Sequence, residues 1–317
     1  MPGCNPKAEP VDKSGSQVDQ ALQANRIIYR SLDNGRTWSS FDQGIPEDAT
    51  VSGFHARGNK LIAITDFHGV FVSKSGVNQW QPVNLGLPDR VDVNAITMLN
   101  DLWVIGTSKH GIFISGDKGN MWSRSNKGLP DIPVRSLISV NDNLFAGTDK
   151  GIYVSLDRGM SWNHQFGTGQ VNGFTLLNDK IYAALVDGAI VSDDTGKNWK
   201  YIYKPHTLHD ISNDGSFIYA MTLGAGLLKS STDGLSWEDA NGGFPAHRFY
   251  TFEVKEANQN LFAAQWHGIY RSTDRGDHWV RINTGKNGLP DSTAFMTLEV
   301  TDFGILVGTG LNKGKMK

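Results

Sequence analysis

The stretch Ser31-Leu32-Asp33-Asn34-Gly35-Arg36-Thr37-Trp38 decides the fold of this chain, because its pattern recurs along the sequence. Four further copies keep the spacing Ser-x-Asp-x-Gly-x-x-Trp and begin at Ser115, Ser155, Ser192 and Ser272. Two copies have diverged. The copy at Ser73 lacks the Asp and the Gly, and the copy at Ser230 carries its Asp one place later, at Asp233. Seven copies of one short motif predict an array of equivalent structural units.

The tryptophans that close the seven copies set the length of the unit. They stand at positions 38, 80, 122, 162, 199, 237 and 279. The spacing is that of a four-stranded propeller blade, about 40–45 residues. Asp outnumbers Glu by 26 to 6, and the chain contains 36 Gly. This composition favours tight turns over helices.

Each unit predicts four short antiparallel strands. In the third unit, apolar alternation and the turn Asn100-Asp101 indicate strands at 93–98, 102–105 and 111–114. The motif then leads into a fourth strand that begins at Trp122. Within the motif, we expect the Ser and Asp side chains to accept N–H groups of the turn. We expect the Gly to adopt a backbone angle that a Cβ resists, and the Trp ring to pack in the blade core.

The two ends of the chain predict how the array closes. Residues 27–30 read as a third strand, whereas residues 295–300 and 304–307 read as a first and a second strand. We therefore predict an all-β, seven-bladed β-propeller of four-stranded antiparallel blades, closed by a composite blade of N-terminal and C-terminal strands. Residues 22–317 should form this single domain, and residues 1–21 a disordered tail or tether.

The composition excludes some classes of function. The net charge is −2 with both signs scattered, which does not indicate nucleic-acid binding, and no apolar run is long enough to cross a bilayer. Cys4, the one cysteine, is either an incidental thiol or a lipidation site, since Gly3-Cys4 and the polar spacer resemble the mature start of a bacterial lipoprotein. A lipid there would be the only contact with a membrane. We expect an exported monomer that is periplasmic, cell-surface or extracellular.

The repeated motif resembles the Asp-box, also called the bacterial neuraminidase repeat, S-x-D-x-G-x-[TS]-W. Proteins with this repeat include sialidases, sortilin-type receptors, xyloglucan-degrading hydrolases and photosystem II assembly factors. The resemblance covers nearly the whole chain and implies a propeller fold. It does not choose between an enzyme, a receptor and an assembly factor.

The turns between second and third strands supply the first set of candidate ligand-binding residues, because they lie on the face opposite the Asp-box turns. These turns repeat a His-Gly pair and carry two aromatic residues: His68, His110, His267, Phe67 and Trp266. The three His belong to different blades, too far apart for metal bonds of about 2 Å, so we predict no metal site and no cofactor. Each His is either a polar residue before an obligatory turn glycine or, beside the aromatic rings, part of a site for sugars or aromatic peptides.

A second set comes from one aligned position at the start of each first strand. The residues there are Ser52, Asn94, Arg135, Asn172, His209, Tyr250 and Met296. Six of the seven are polar. They either line a water-filled channel or, where Arg135, His209 and Tyr250 converge, form a pocket for an anion or a carbohydrate.

The two sets of candidate residues do not favour a catalytic function. Resemblance to sialidases would imply a Phe/Tyr-Arg-Ile-Pro motif, but residues 29–32 read Tyr-Arg-Ser-Leu. A xyloglucanase-like hydrolase needs two carboxylates beside the scissile bond, and Asp66, Asp149 and Asp187 lie on the appropriate face. A glycoside hydrolase of sialidase or xyloglucanase type is therefore the alternative.

The sequence thus predicts a non-catalytic binding or assembly propeller of the cell envelope, which recognises a glycan or a protein at the channel mouth. A third hypothesis is an assembly factor similar to that of photosystem II. It would carry a basic patch, for which Lys109, Arg135, Lys150 and Arg248 are available.

Overall fold

The computed structural model describes residues 26–74, 76–245, 250–291 and 293–309. Within them, 28 strands form seven separate four-stranded antiparallel sheets. The predicted tail 1–21 with Cys4, and also Arg248, lie outside the described residues. In the part of the chain that is described, no helix has the length and apolar character needed to span a membrane.

The strands are numbered in chain order. The first fourteen are β1 Ile28–Ser31, β2 Ser39–Ser40, β3 Thr50–Arg57, β4 Lys60–Asp66, β5 Gly69–Lys74, β6 Trp80–Pro82, β7 Val93–Leu99, β8 Leu102–Thr107, β9 Ile112–Ser115, β10 Ser123–Arg124, β11 Val134–Val140, β12 Asn143–Thr148, β13 Gly151–Ser155 and β14 Asn163–Phe166. The second fourteen are β15 Val171–Leu177, β16 Lys180–Leu185, β17 Gly188–Ser192, β18 Lys200–Tyr203, β19 Leu208–Asn213, β20 Ile218–Thr222, β21 Gly226–Ser230, β22 Glu238–Asp239, β23 Thr251–Ala257, β24 Asn260–Gln265, β25 Gly268–Ser272, β26 Val280–Arg281, β27 Phe295–Thr301 and β28 Gly304–Thr309.

The ring closes through a blade built by both ends of the chain, which confirms the predicted fold. Blade 1 has the order β2-β1-β28-β27, and blades 2 to 7 are the consecutive quartets from β3–β6 to β23–β26. Strand β1 pairs antiparallel with β28, with Ile28 opposite Gly308. The N–H of Thr309 also donates to the carbonyl of Ile27 at 2.9 Å. This closure joins the two ends of the array without a covalent link.

The hydrophobic core lies between blades. The described residues contain seven clusters of buried side chains, and each combines two neighbouring blades. One cluster joins Ile62 and Val70 of blade 2 to Trp103 and Trp122 of blade 3. The expectation that the motif Trp packs within the core of its own blade is therefore corrected. Stacking buries both faces of each sheet, so the Trp ring packs between its own blade and the preceding one.

The indole N–H groups of the motif Trp residues strengthen this junction. Five of the seven donate to a backbone carbonyl of the preceding blade, at 2.6–3.2 Å, from Trp80, Trp122, Trp162, Trp237 and Trp279. Trp38 and Trp199 donate instead to the glycine carbonyl of their own motif, at 3.1 and 3.0 Å. In most copies the motif therefore connects two blades.

The motif turn forms its hydrogen bonds as expected. Ser31 Oγ accepts the Gly35 N–H and donates to Asp33 Oδ1, both at 2.8 Å, and Asp33 Oδ1 accepts the Thr37 N–H at 2.8 Å. The four other intact copies repeat these bonds. In one of them, hydrogen bonds from the Ser161 side chain and backbone lower the pKa of Asp157 to about 2. Gly35 has a φ of 80°, which favours a residue without a Cβ.

The diverged copy at Ser230 keeps the turn with a different acceptor. Thr232 occupies the usual Asp position, and its Oγ1 accepts the Ser236 N–H at 2.9 Å. The displaced Asp233 reaches blade 5, where it accepts from Lys180 Nζ at 2.6 Å and from the Tyr182 hydroxyl at 3.0 Å. The carboxyl therefore links two blades.

Candidate functional site

Every first strand carries a β-bulge at the same place, where its pairing with the second strand shifts by one residue. The bulged residues are Ser52, Asn94, Arg135, Asn172, His209, Phe252 and Met296. Six of them form the aligned position predicted from the sequence. In blade 7 the alignment is wrong, because Phe252 occupies the bulge and Tyr250 precedes β23. The connection before the first strand varies in length from blade to blade, so counting from the motif does not fix this register.

Polar residues at the bulge join neighbouring blades around the channel. Ser52 Oγ donates to the carbonyl of Val93 at 2.5 Å. The amides of Asn94 and Asn172 donate to the corresponding carbonyls of the next blades at 3.0 and 2.7 Å. His209 Nε2 bonds the carbonyl of Thr251. These side chains therefore have a structural role, and ligand binding by Asn94, Asn172 and His209 stays a prediction.

The channel opens into a cavity of about 950 Å³ on the face that carries the turns between second and third strands. Five of the ten candidate residues line it: Asn94, Arg135, Asn172, His209 and Tyr250. A cavity of this size is in the range of ligand sites, about 300–1,000 Å³. The other five candidates belong to the turns around it.

A run of aromatic rings in successive contact crosses the cavity mouth from blade 6 to blade 7. His209 stacks on Tyr250 at 4.5 Å between ring centroids, and Tyr250 contacts Phe252 at 4.6 Å. Phe252 in turn stacks on Trp266 at 5.9 Å. Tyr250 is 38% exposed and Trp266 is 41% exposed, so these rings present apolar faces to solvent. We call His209, Tyr250, Phe252 and Trp266 the aromatic mouth.

Two further apolar side chains extend this surface. Val186 and Leu223, from the turns after β16 and β20, line the same cavity and are more than two-fifths exposed. Burial lowers the pKa of His209 to about 4, so its ring is neutral at neutral pH. Val186, Leu223 and the neutral His209 ring therefore add an uncharged surface beside the cavity.

Arg135 is paired with an acid. Its Nε contacts Asp149 Oδ1, and both side chains are about one-third exposed, at 38% and 34%. The ion pair offsets the positive charge that the anion-pocket prediction invokes. Arg135 lines the cavity from blade 4, whereas the aromatic mouth lies in blades 6 and 7.

His68, His110 and His267 lie in separate turns, after β4, β8 and β24. The glycines that follow the first two have strongly constrained surroundings. Gly69 has a φ of 76°, and a Cβ there would lie 2.4 Å from Asn84 Oδ1. That Asn clamps the turn, because Oδ1 accepts the Val70 N–H at 2.7 Å and Nδ2 donates to the carbonyl of His68 at 2.8 Å. The obligatory turn glycine thus accounts for the Gly of the repeated pair.

The side chains of these His residues do not converge. His68 Nε2 lies 3.0 Å from Asp48 Oδ1 on the rim of blade 2. Among the described residues, no group of three or more His, Cys, Asp or Glu side chains has the arrangement of a metal site. Phe67, beside His68, is 46% exposed and lies near the guanidinium of Arg90, 5.4 Å from the ring centroid.

A set of charged side chains that the sequence motifs did not indicate lies in the channel. The residue after the bulge is small in blades 2 to 5, namely Gly53, Ala95, Ser136 and Gly173. In blades 6 and 7 it is Asp210 and Glu253, and two residues further along β23 and β27 lie Lys255 and Glu299. All four charged side chains line the cavity. Aligning the positions after the bulge would have revealed this contrast. We call Asp210, Glu253 and Glu299 the channel carboxyls.

Lys255 lies between two of the channel carboxyls. Its Nζ is 3.0 Å from Glu253 Oε1 and 3.6 Å from Glu299 Oε2. The other oxygen of Glu253 accepts the Leu298 N–H at 2.7 Å. Glu253, above all, raises the pKa of Lys255, so its ammonium stays charged.

Asp210 occupies space that a glycine of the neighbouring blade leaves free. A Cβ on Gly173 would lie 2.1 Å from Asp210 Oδ1. Burial, and then the negative charge of Glu253, raise the pKa of Asp210 to about 7. Burial likewise raises the pKa of Glu299. Two of the channel carboxyls therefore lie where their charge is poorly compensated.

Comparison with known proteins relates the chain to others through its fold. No protein-family model matches it, and no curated protein does. The extracellular domain of a protein described as a one-component system of B. thetaiotaomicron superimposes with a TM-score of 0.72 at 14% identity, over 87% of this chain and 39% of that one. This chain therefore spans about two-fifths of that structure.

Two further structures illustrate the range of similar proteins. YCF48 bound to a D1 peptide has a TM-score of 0.66 at 15% identity, over 85% of this chain and 95% of that one. The GH74 xyloglucanase from Xanthomonas campestris also has a TM-score of 0.66, at 14% identity, over 91% and 57%. At such identities the similarity shows that the structures share the seven-bladed propeller fold. The function has to be argued from the residues of the site.

Proposed function

We propose that this protein is a non-catalytic Asp-box propeller that binds a glycan or a protein at the mouth of its central channel. The aromatic mouth carries this proposal, because four rings in successive contact stand beside a cavity of about 950 Å³ and two of them are well exposed. Exposed aromatic faces next to polar groups suit both sugars and aromatic side chains.

The repeat and the similar structures support this reading. Five turns form the same Ser and Asp hydrogen bonds within the motif, which agrees with the Asp-box resemblance. Among similar propellers, YCF48 has a bound peptide and the xyloglucanase is named for a glycan substrate. Export to the periplasm, cell surface or exterior is part of the proposal, and the extracellular domain from B. thetaiotaomicron agrees with it. A lipid on Cys4 would then serve as the anchor.

A glycoside hydrolase is the second candidate, and the Asp210–Glu253 pair favours it. A carboxyl with a pKa of about 7 suits a general acid, and hydrolysis requires a second carboxylate. However, Glu253 is held by Lys255 and by the Leu298 N–H. Of the three carboxyls predicted from the sequence, Asp149 pairs with Arg135 and Asp187 accepts from the Tyr201 hydroxyl at 2.8 Å, whereas burial and the charge of Asp92 raise the pKa of Asp66. Binding is therefore the better-supported function.

The substitution Trp266→Ala should weaken ligand binding at least tenfold, because it removes an exposed ring of the kind that dominates binding energy. Wild-type protein is screened on glycan and peptide arrays, and the Kd of the strongest ligand is measured by titration calorimetry. Leu235→Ala is the matched control, since Leu235 is 88% exposed on the opposite face. An unchanged Kd in Trp266→Ala would contradict the proposal. Glycan cleavage that is lost in Asp210→Asn would support the hydrolase instead.

A further inference from the structure

The channel holds more carboxyls than cations. Three channel carboxyls lie beside a single ammonium, that of Lys255, so full ionisation of Asp210, whose pKa is raised to about 7, requires a further cation. Burial, with Arg57 and Lys255 nearby, lowers the pKa of His55 to about 4, so His55 adds no charge at neutral pH. The ring of His209 is neutral for a similar reason, and Arg135 is paired with Asp149. The described lining of the cavity is therefore short of positive charge on its blade 6 to blade 1 side.

A buried hydroxyl without a described partner lies two residues beyond Asp210 on β19. Ser212 is 8% exposed, and its Oγ has no hydrogen-bond partner among the described residues. After the bulge, β19 pairs regularly with β20, so Ser212 and Asp210 point to the same side of the strand. Ser212 also occupies the position that His55, Lys255 and Glu299 hold in their blades, and these three line the cavity. A buried hydroxyl on the same side of β19 as Asp210 therefore lacks a hydrogen-bond partner in the described part of the chain.

The aromatic mouth stands at the entrance to this group. Tyr250 and Phe252 line the cavity together with the channel carboxyls. A lysine or arginine side chain has an apolar stem and a charged tip, so it can pack along aromatic rings while its tip reaches acceptors beyond them. The exposed Val186 and Leu223 offer apolar surface for the residues on either side of it.

From these observations we propose that the channel mouth binds a peptide segment whose lysine or arginine side chain enters the channel and bonds Asp210, Glu253, Glu299 and Ser212. The inference rests on the proposed function and names its ligand class. A neutral glycan would leave the surplus carboxyls uncompensated. An amino sugar carries its charge directly on the ring and has no long stem to pass between the aromatic side chains.

The probes are two capped pentapeptides, Gly-Tyr-Lys-Tyr-Gly and the same peptide with norleucine in place of lysine. Norleucine keeps the stem and removes the charge. We expect the lysine peptide to bind at least tenfold more tightly in calorimetry at neutral pH and low salt. Glu299→Gln and Asp210→Asn should each weaken the lysine peptide about tenfold and leave the norleucine peptide unchanged. Glu256→Gln, at an exposed position of β23, is the control and should alter neither Kd.

Lys255 provides a test in the opposite direction. Its ammonium competes with the incoming side chain, so Lys255→Met should tighten binding of the lysine peptide several-fold. The variant alone should unfold at a lower temperature, because it leaves the partly buried carboxyls of Glu253 and Glu299 unpaired. The lysine peptide should raise that temperature again, and the norleucine peptide should not. A purely structural role for Lys255 would not increase affinity.

Equal affinities for the two peptides would overturn the inference, as would undiminished lysine-peptide binding in the Asp210→Asn, Glu299→Gln double variant. If Trp266→Ala weakens an array ligand while the two pentapeptides bind alike or not at all, the inference fails and the proposed function stands. If Trp266→Ala affects no ligand, the proposed function itself fails. Glucosamine trisaccharide binding that depends on Glu299, without binding of the lysine peptide, would replace the peptide with an amino sugar.

Discussion

Trp162→Ala should lower the free energy of unfolding by about 3–5 kcal/mol, the usual cost of removing a buried Trp ring. Trp162 is 1% exposed in the cluster between blades 3 and 4. Its indole N–H donates to the carbonyl of Ser125 at 3.0 Å, and its backbone N–H donates to that of Lys127 at 2.8 Å. The substitution therefore leaves a cavity and an unpaired carbonyl at a blade junction. Urea denaturation followed by circular dichroism measures the loss.

The matched control for this prediction is Trp266→Ala, which removes the same side chain from the mouth. Trp266 is 41% exposed, so we expect its loss to lower the free energy of unfolding less than the loss of Trp162 does. The two variants should separate stability from binding. Trp162→Ala should be unstable and retain ligand affinity under folding conditions, whereas Trp266→Ala should be stable and lose affinity. Equal destabilisation by both would contradict the account of the inter-blade core.

Deleting residues 295–309 should abolish cooperative unfolding. This segment contains β27 and β28, the two inner strands of blade 1, with Phe295, Leu298 and Leu306 fully buried. Without it, β1 loses its partner β28 and the facing surfaces of blades 7 and 2 are exposed to water. Differential scanning calorimetry should show no sharp transition for the truncated chain.

A circular permutant supplies the control for that deletion. Thr309 Oγ1 lies 3.0 Å from the carbonyl of Arg26, so a short glycine linker can join these positions. The chain can be reopened at Gly285–Lys286, between β26 and β27. All four strands of blade 1 are then consecutive, and we expect cooperative unfolding near the wild-type temperature. A truncated protein that melts as sharply as wild type would show that ring closure is not required.

The fold was predictable because its determinants are local. The turn bonds of Ser31 and Asp33 lie within one eight-residue motif, and the same pattern returns at blade spacing. The closure of the ring was predictable for the same reason. Residues 27–30 have the pattern of a third strand, and residues 295–307 have that of a first and a second strand. A turn motif that is defined by local residues and recurs seven times strongly constrains the fold.

The candidate site was less predictable because it depends on contacts between blades. The space for Asp210 is created by Gly173, and the partner of Lys255 in blade 1 is Glu299. No pattern within one unit shows these pairs. The predicted placement of Tyr250 at the bulge was wrong for a related reason. The register of the bulge is set by pairing with β24 and not by distance from the motif. Its ring nevertheless belongs to the aromatic mouth through its stack on His209.

Site-specific photo-crosslinking tests most directly whether ligands bind at the channel mouth of blades 6 and 7. Benzoylphenylalanine replaces Tyr250 at the mouth or Leu235 on the opposite face, each in otherwise unchanged protein. After irradiation in the cells that produce the protein, adducts are identified by mass spectrometry. We predict a protein or glycan adduct from position 250 and none from position 235. Adducts confined to position 235, or equal yields from the two positions, would contradict binding at this mouth.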